Sequence, residues 1–200
     1  MGLKLAATSG GSVELVPTNT ASNFTATMPA VTGNVVLDSA TQTLTNKTIQ
    51  GGAITSGTAV ASTSGTSIDF TSIPSWVKRI TVMFNGVSTN GTSDLVVQLG
   101  SGSVETTGYI SCCGYSASFS TSTSAFIAAI GVGGSDLLSG SVTITKLNGN
   151  SWTQTGIVSS NVPRSSSGSK TTSGALDRVR ITTAGGTNTF DAGSINILYE

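Results

Sequence analysis

Lys78-Arg79-Ile80-Thr81-Val82-Met83-Phe84 decides the fold class. Ile80, Val82 and Phe84 fall on one side of an extended chain and Arg79, Thr81 and Met83 on the other, the two-residue period of a strand with one face in a core. The same alternation recurs as Leu95, Val97 and Leu99, as Val142 with Ile144, as Val179 with Ile181, and as Ile195, Ile197 and Tyr199. Asn85-Gly86, Asn90-Gly91, Gly133-Gly134, Asn148-Gly149 and Gly185-Gly186 punctuate these runs as turns. Helix formers are scarce. The pattern predicts an all-β chain whose C-terminal part is an antiparallel β-sandwich, jelly-roll-like in its many short strands.

The 200 residues carry nine basic and nine acidic side chains, and charged residues make up 9% of the chain. That share is far below the usual quarter, and serine and threonine, nearly a third of the chain, take its place. The surface is therefore expected to be hydroxyls and amides. A formal charge of zero argues against charge-driven disorder and removes the basic footprint of a nucleic-acid binder. It suits a protein built into an assembly. The absence of histidine excludes a Ser-His-Asp triad, His-bearing zinc sites and imidazole acid/base chemistry. Cys112 and Cys113 are adjacent, and a disulfide between neighbours is strained, so both are read as reduced, one buried and one exposed. No cofactor or metal is expected. Leu3 to Ala7 is too short for a secretory h-region and contains Lys4, and no run approaches the roughly 18 apolar residues of a membrane span. The expected site of synthesis is a cytoplasm.

The N-terminal part reads differently. Strand-like pieces near Leu3 to Ala7, Val13 to Val16, Phe24 to Met28 and Val35 to Leu37 have too few large side chains to close a core in one chain. Residues 1–57 are expected to be an attachment and trimerisation segment, extended and intertwined with its copies, and 58–200 the sandwich. Gln50 to Gly65, rich in Gly, Ala, Ser and Thr, fits a linker or a strand wound with other chains. Pro163 to Gly174 reads as a long mobile loop.

Gly11-Ser12-Val13-Glu14-Leu15-Val16-Pro17, the stretch Ala21 to Gly33, and Ser39-Ala40-Thr41-Gln42-Thr43-Leu44-Thr45-Asn46-Lys47-Thr48-Ile49 resemble a repeat of bacteriophage tail-fibre and other virion fibre proteins. Ser67 to Ile80, with Ile73-Pro74-Ser75-Trp76 at its centre, and the ending Phe190 to Glu200 resemble a distal module of the same proteins. The resemblance implies a homotrimeric, non-enzymatic virion protein. Its N-terminal segment is then expected to dock on other tail or capsid proteins, and its distal sandwich to meet a bacterial surface. Two hundred residues leave no room for a long shaft, so a tail fibre and a head fibre fit equally well. A capsid decoration protein that binds no receptor, or a glycan-binding adhesin or lectin, stays open as an alternative.

The acidic residues show no catalytic spacing, and Asp94 and Asp136 sit in turn-like sequence where a carboxylate accepts backbone N–H bonds. Without histidine a serine nucleophile has no evident base, so no enzyme is expected. Sugar recognition calls for an exposed ring beside planar amides. Trp152, among Asn148, Asn150 and Gln154, meets that description and is a candidate contact, although packing is the favoured reading of it. Tyr115 and Phe119 lie in the turn-like Gly114 to Ser124, while Arg164 and Lys170 suit an anionic surface polysaccharide. These five are the candidate receptor contacts, expected in loops at one end of the sandwich. Trp76, after Pro74 and before an alternating strand, is expected to anchor the core or an interface.

Overall fold

The computed structural model describes residues 3–6, 10, 12–15 and 54–200, and the chain divides into two units, Met1–Lys47 and Thr48–Glu200. In the first unit β1 (Leu3–Ala6) and β2 (Ser12–Leu15) form an antiparallel pair, with Leu3 opposite Leu15 and Ala6 opposite Ser12. The expected strands Phe24 to Met28 and Val35 to Leu37 lie outside the described residues, as does the expected docking and intertwining of the N-terminal segment.

In the second unit the strands are β3 (Thr55–Ser56), β4 (Val60–Ala61), β5 (Ser67–Thr71), β6 (Arg79–Thr89), β7 (Leu95–Ser101), β8 (Ser103–Val104), β9 (Tyr109–Tyr115), β10 (Ser118–Ser122), β11 (Phe126–Ala129), β12 (Leu138–Asn148), β13 (Ser151–Ser159), β14 (Pro163–Thr171), β15 (Arg178–Thr183) and β16 (Phe190–Tyr199). The larger sheet runs β10-β9-β14-β13-β12-β6-β16-β3, with β4 also on β16; the smaller runs β11-β7-β15-β5, with β8 on β7. Every pairing is antiparallel, and no helix occurs among the described residues. The all-β expectation therefore holds for this unit.

The alternation seen in the sequence is what joins the sheets. Ile80, Val82 and Phe84 of β6, Val142 and Ile144 of β12, and Ile195 and Ile197 of β16 meet Leu95, Val97 and Leu99 of β7 and Val179 and Ile181 of β15 in one core. A second cluster sits where the smaller sheet's edge strand β11 approaches β9: Ile127 packs with Val96 and Cys113, and its N–H donates to Ser111 Oγ at 2.9 Å. The pairings are nested. β6 joins β16, β7 joins β15, β9 joins β14, and β12 turns directly into β13.

Two stretches differ from their sequence reading. The described part of the Gln50 to Gly65 run lies along the edge of the larger sheet. Gly57 N donates to Ile197 O at 2.8 Å, Ser62 N to Gly193 O at 3.0 Å and Ser62 Oγ to Ala192 O at 2.7 Å. The sheet thus takes in residues before the expected boundary near 57. The second is a correction. Pro163 to Gly174 is not a mobile loop, because nearly all of it forms β14, hydrogen-bonded to β13 on one side and β9 on the other. Its composition hid an alternation of another kind, with Arg164, Ser166 and Lys170 buried and Ser165, Ser167 and Thr171 exposed.

Gly168, on the same inward row, shows how tightly β14 is held. A Cβ there would lie 2.5 Å from Ile110 O and 2.9 Å from the Phe126 ring, so backbone would have to move. Gly168→Ala is expected to cost about 2 kcal/mol, measured by chemical denaturation; a solvated loop would show no loss.

Candidate interaction surface

The five candidate contacts do not gather in loops at one end of the sandwich. Arg164 and Lys170 stand near opposite ends of β14, and both point inward. Arg164 Nε donates to Ile130 O at 2.6 Å, Nη2 to Gly131 O at 3.2 Å and to Asp136 Oδ2 at 3.3 Å, and Nη1 to Ser160 Oγ at 3.2 Å. Its guanidinium lies 5.2 Å from the centre of the half-buried Tyr115 ring. Lys170 Nζ pairs with Glu105 Oε2 at 2.5 Å, donates to Thr171 O at 2.9 Å and sits 5.3 Å from the centre of the Tyr109 ring. Each buried cation therefore has a carboxylate, a backbone carbonyl and an aromatic face. A charge taken from water is tolerated only with such partners.

Trp152 stands directly across from Lys170 in the next strand and is buried in the main core, with Lys146 Nζ 5.5 Å from its ring centre. The turn beside it is only Gly149 and Asn150, so the strand resumes before Trp152 and fixes the indole on the inner side. Trp152, Arg164 and Lys170 are thus corrected from loop contacts to internal residues. Of the five, Phe119 is fully presented to solvent and Tyr115 partly so, on the two strands of the β9–β10 hairpin. Asp94 and Asp136 do accept backbone N–H bonds, from Gly131 at 3.3 Å and Gly133 at 2.9 Å, and burial raises the Asp94 pKa against the pull of the Gly131 N–H.

What the strands present outward is a different surface. Registers across the larger sheet place Thr121, Cys112, Ser167, Thr155, Thr143, Thr81 and Leu198 in one row, and Phe119, Gly114, Ser165, Ile157, Ser141, Met83 and Asn196 in the next. The face is hydroxyls and short side chains, from which a few apolar ones protrude. Among the described residues the four most exposed large hydrophobic side chains, Phe119 (76%), Ile110 (75%), Leu147 (71%) and Ile157 (58%), all stand on it. Between Ile110 and Leu147 runs a trough of about 280 Å³ over Ser169, Thr153 and Thr171. Cys112, on β9 next to the edge strand β10, is a free, exposed thiol, while Cys113 points inward, its pKa pushed up to about 11 by burial.

Of the two roles expected for Trp76, core or interface anchor, the structure excludes the first. Trp76 is not a core residue: it is 55% exposed, its ring tilted over Tyr199 with centroids 5.9 Å apart. Pro74 closes a turn here, its carbonyl accepting from Val77 N at 3.1 Å, and that turn carries Trp76 out before β6 begins. Lys78 N and Arg79 N donate to Glu200 O at 2.6 and 2.9 Å, and the Arg79 and Glu200 side chains form an ion pair. A shallow groove of about 150 Å³ lined by Ile54, Arg79, Thr81, Leu198, Tyr199 and Glu200 adjoins this corner.

Burial pushes the Glu105 carboxyl up, but Lys170 and the Ser173 N–H and hydroxyl together hold its pKa below the ordinary value of 4.5. A carboxylate with a depressed folded pKa adds stability above its unfolded pKa and loses it as pH falls through the folded one. Glu105→Gln leaves Lys170 buried without its partner and is expected to cost about 3 kcal/mol at neutral pH. The gap between parent and variant should close as pH drops below about 4, read from denaturation midpoints across pH.

No protein-family profile, curated protein or solved structure matches the chain.

Proposed function

We propose that the chain is a non-enzymatic structural subunit of a bacteriophage virion fibre. It forms a homotrimer, its N-terminal segment docks on other tail or capsid proteins, and its C-terminal unit faces the host surface. The observation that carries this reading is the corner at Trp76. The two C-terminal stretches that resemble a fibre module, Ser67 to Ile80 and Phe190 to Glu200, are far apart in sequence but form one physical unit. Ile80 is opposite Tyr199, Trp76 packs on Tyr199, and both Lys78 and Arg79 bind the Glu200 backbone. A resemblance spread over two segments that build one corner is a resemblance of a module.

The nested pairs support the jelly-roll reading, since a long antiparallel hairpin rolled on itself joins its strands in that order. A formal charge of zero suits repeated packing in a particle. The burial of Trp152, Arg164 and Lys170 favours a second reading, a capsid decoration protein that binds no receptor, because three of the five candidate contacts are then structural.

Two measurements test this. Antibody-gold labelling of purified virions should mark fibres on tail or capsid, and particles that never carry label would remove the virion assignment. Purified protein should compete with virions for adsorption to host cells if the sandwich binds a receptor. Labelled virions whose adsorption is untouched by excess protein would leave the decoration reading.

A further inference from the structure

We infer that the outer face of the larger sheet is where copies of this chain pack against one another. The inference rests on the homotrimer proposed above and adds the surface through which the C-terminal units meet. Its first support is the gathering of exposed apolar side chains: Phe119, Ile110, Leu147 and Ile157 share one face, whereas isolated exposed hydrophobics are normally scattered.

The second support is charge. Across β9, β14, β13 and β12 no outward side chain is charged; the charges stand at the margin, Arg79 on β6, which is tied to Glu200, and the exposed Asp191 near the start of β16. The outer face of the smaller sheet is the opposite. There Arg180 and Asp69 make a two-pronged ion pair, with both contacts at 2.7 Å. Interface centres are depleted of charge, and a face without charge does not repel its own copy.

The third is area. Six strands, β9, β14, β13, β12, β6 and β16, stand side by side in this sheet. At about 4.8 Å between strands and roughly seven residues of about 3.3 Å each, the face measures roughly 650 Å². Gathered about a threefold axis, where each face is shared between two neighbours, three such faces cover about 1,950 Å² in all, or about 650 Å² for each pair. The trough between Ile110 and Leu147 gives the surface relief for interlocking.

Cys112 supplies the probe. It is exposed on β9, the strand that also carries Ile110 and lies beside Phe119's strand β10, and Cys113 is buried with a raised pKa, so a maleimide at neutral pH reads Cys112 alone. The full-length chain is titrated from dilute to assembled concentrations, with sedimentation velocity giving its state and alkylation rate its exposure. Cys112 should react freely in dilute protein and at least about tenfold more slowly once assembled. Ile157→Lys and Thr155→Lys, both at exposed positions, should keep the parent's circular dichroism and abolish that protection. Ser64→Lys, in the exposed turn between β4 and β5, should behave as the parent. An assembled parent whose Cys112 reacts at the dilute rate overturns this inference while leaving the trimer standing. A parent that stays monomeric at every concentration overturns both. Protection of Cys112 in a monomer assigns the face to the chain's own N-terminal unit and also overturns the inference.

Discussion

Pairing of β6 on both of its edges is the constraint on which the second unit is built. β12 and β16 flank it, and the register puts Ile144, Ile80 and Tyr199 in one line and Val142, Val82 and Ile197 in the next. With those rows fixed, the inner face of the larger sheet is set, and the smaller sheet can close over it with Val97, Leu99, Val179 and Ile181. A one-residue slip of β6 would turn Ile80, Val82 and Phe84 to solvent and Arg79, Thr81 and Met83 to the core, so the register is held by burial as well as by hydrogen bonds.

The strands with apolar contrast were legible because their in-and-out pattern is written in side-chain hydrophobicity. The class of the fold followed from Ile80 to Phe84 and its counterparts. β14 was not legible, because its contrast is between arginine, serine and lysine on one side and serines on the other. Hydropathy reads such a stretch as uniformly polar. Its status as a strand is set by two neighbouring strands and by acceptors such as Ile130 O and Glu105 Oε2, which come from elsewhere in the chain. The tryptophans show the same limit. Neighbouring amides made Trp152 a candidate contact, but a two-residue turn left it inside a strand, in the packing role favoured for it; the alternating run after Trp76 left core and interface open, and the turn closed at Pro74 excluded the core.

A chain with few charges uses several of them internally. Arg164 with Asp136 and Lys170 with Glu105 fasten β14 to the segments that cover its two ends, and each partner carboxylate reaches it from a different connection. Hydrophobic residues of the same size would pack well, but they would not discriminate one register of β14 from another; a guanidinium that must meet five acceptors in a fixed fork does. The same economy leaves the outer sides of β9, β14, β13 and β12 without charge.

The nesting of the strand pairs sets an order in time. β6, near the start of the second unit, has one of its two partners in β12 and the other in β16, at the unit's far end. A chain leaving a ribosome can form the β12–β13 hairpin and the sheet around it, but half of β6 stays unpaired, with Ile80, Val82 and Phe84 only partly covered, until β16 emerges. Closure of the core is therefore a late, long-range event, of the kind that makes all-β domains slow to fold, on scales of milliseconds to seconds. During that interval the open edge of β6 is the stretch of chain most in need of protection from its neighbours on the polysome.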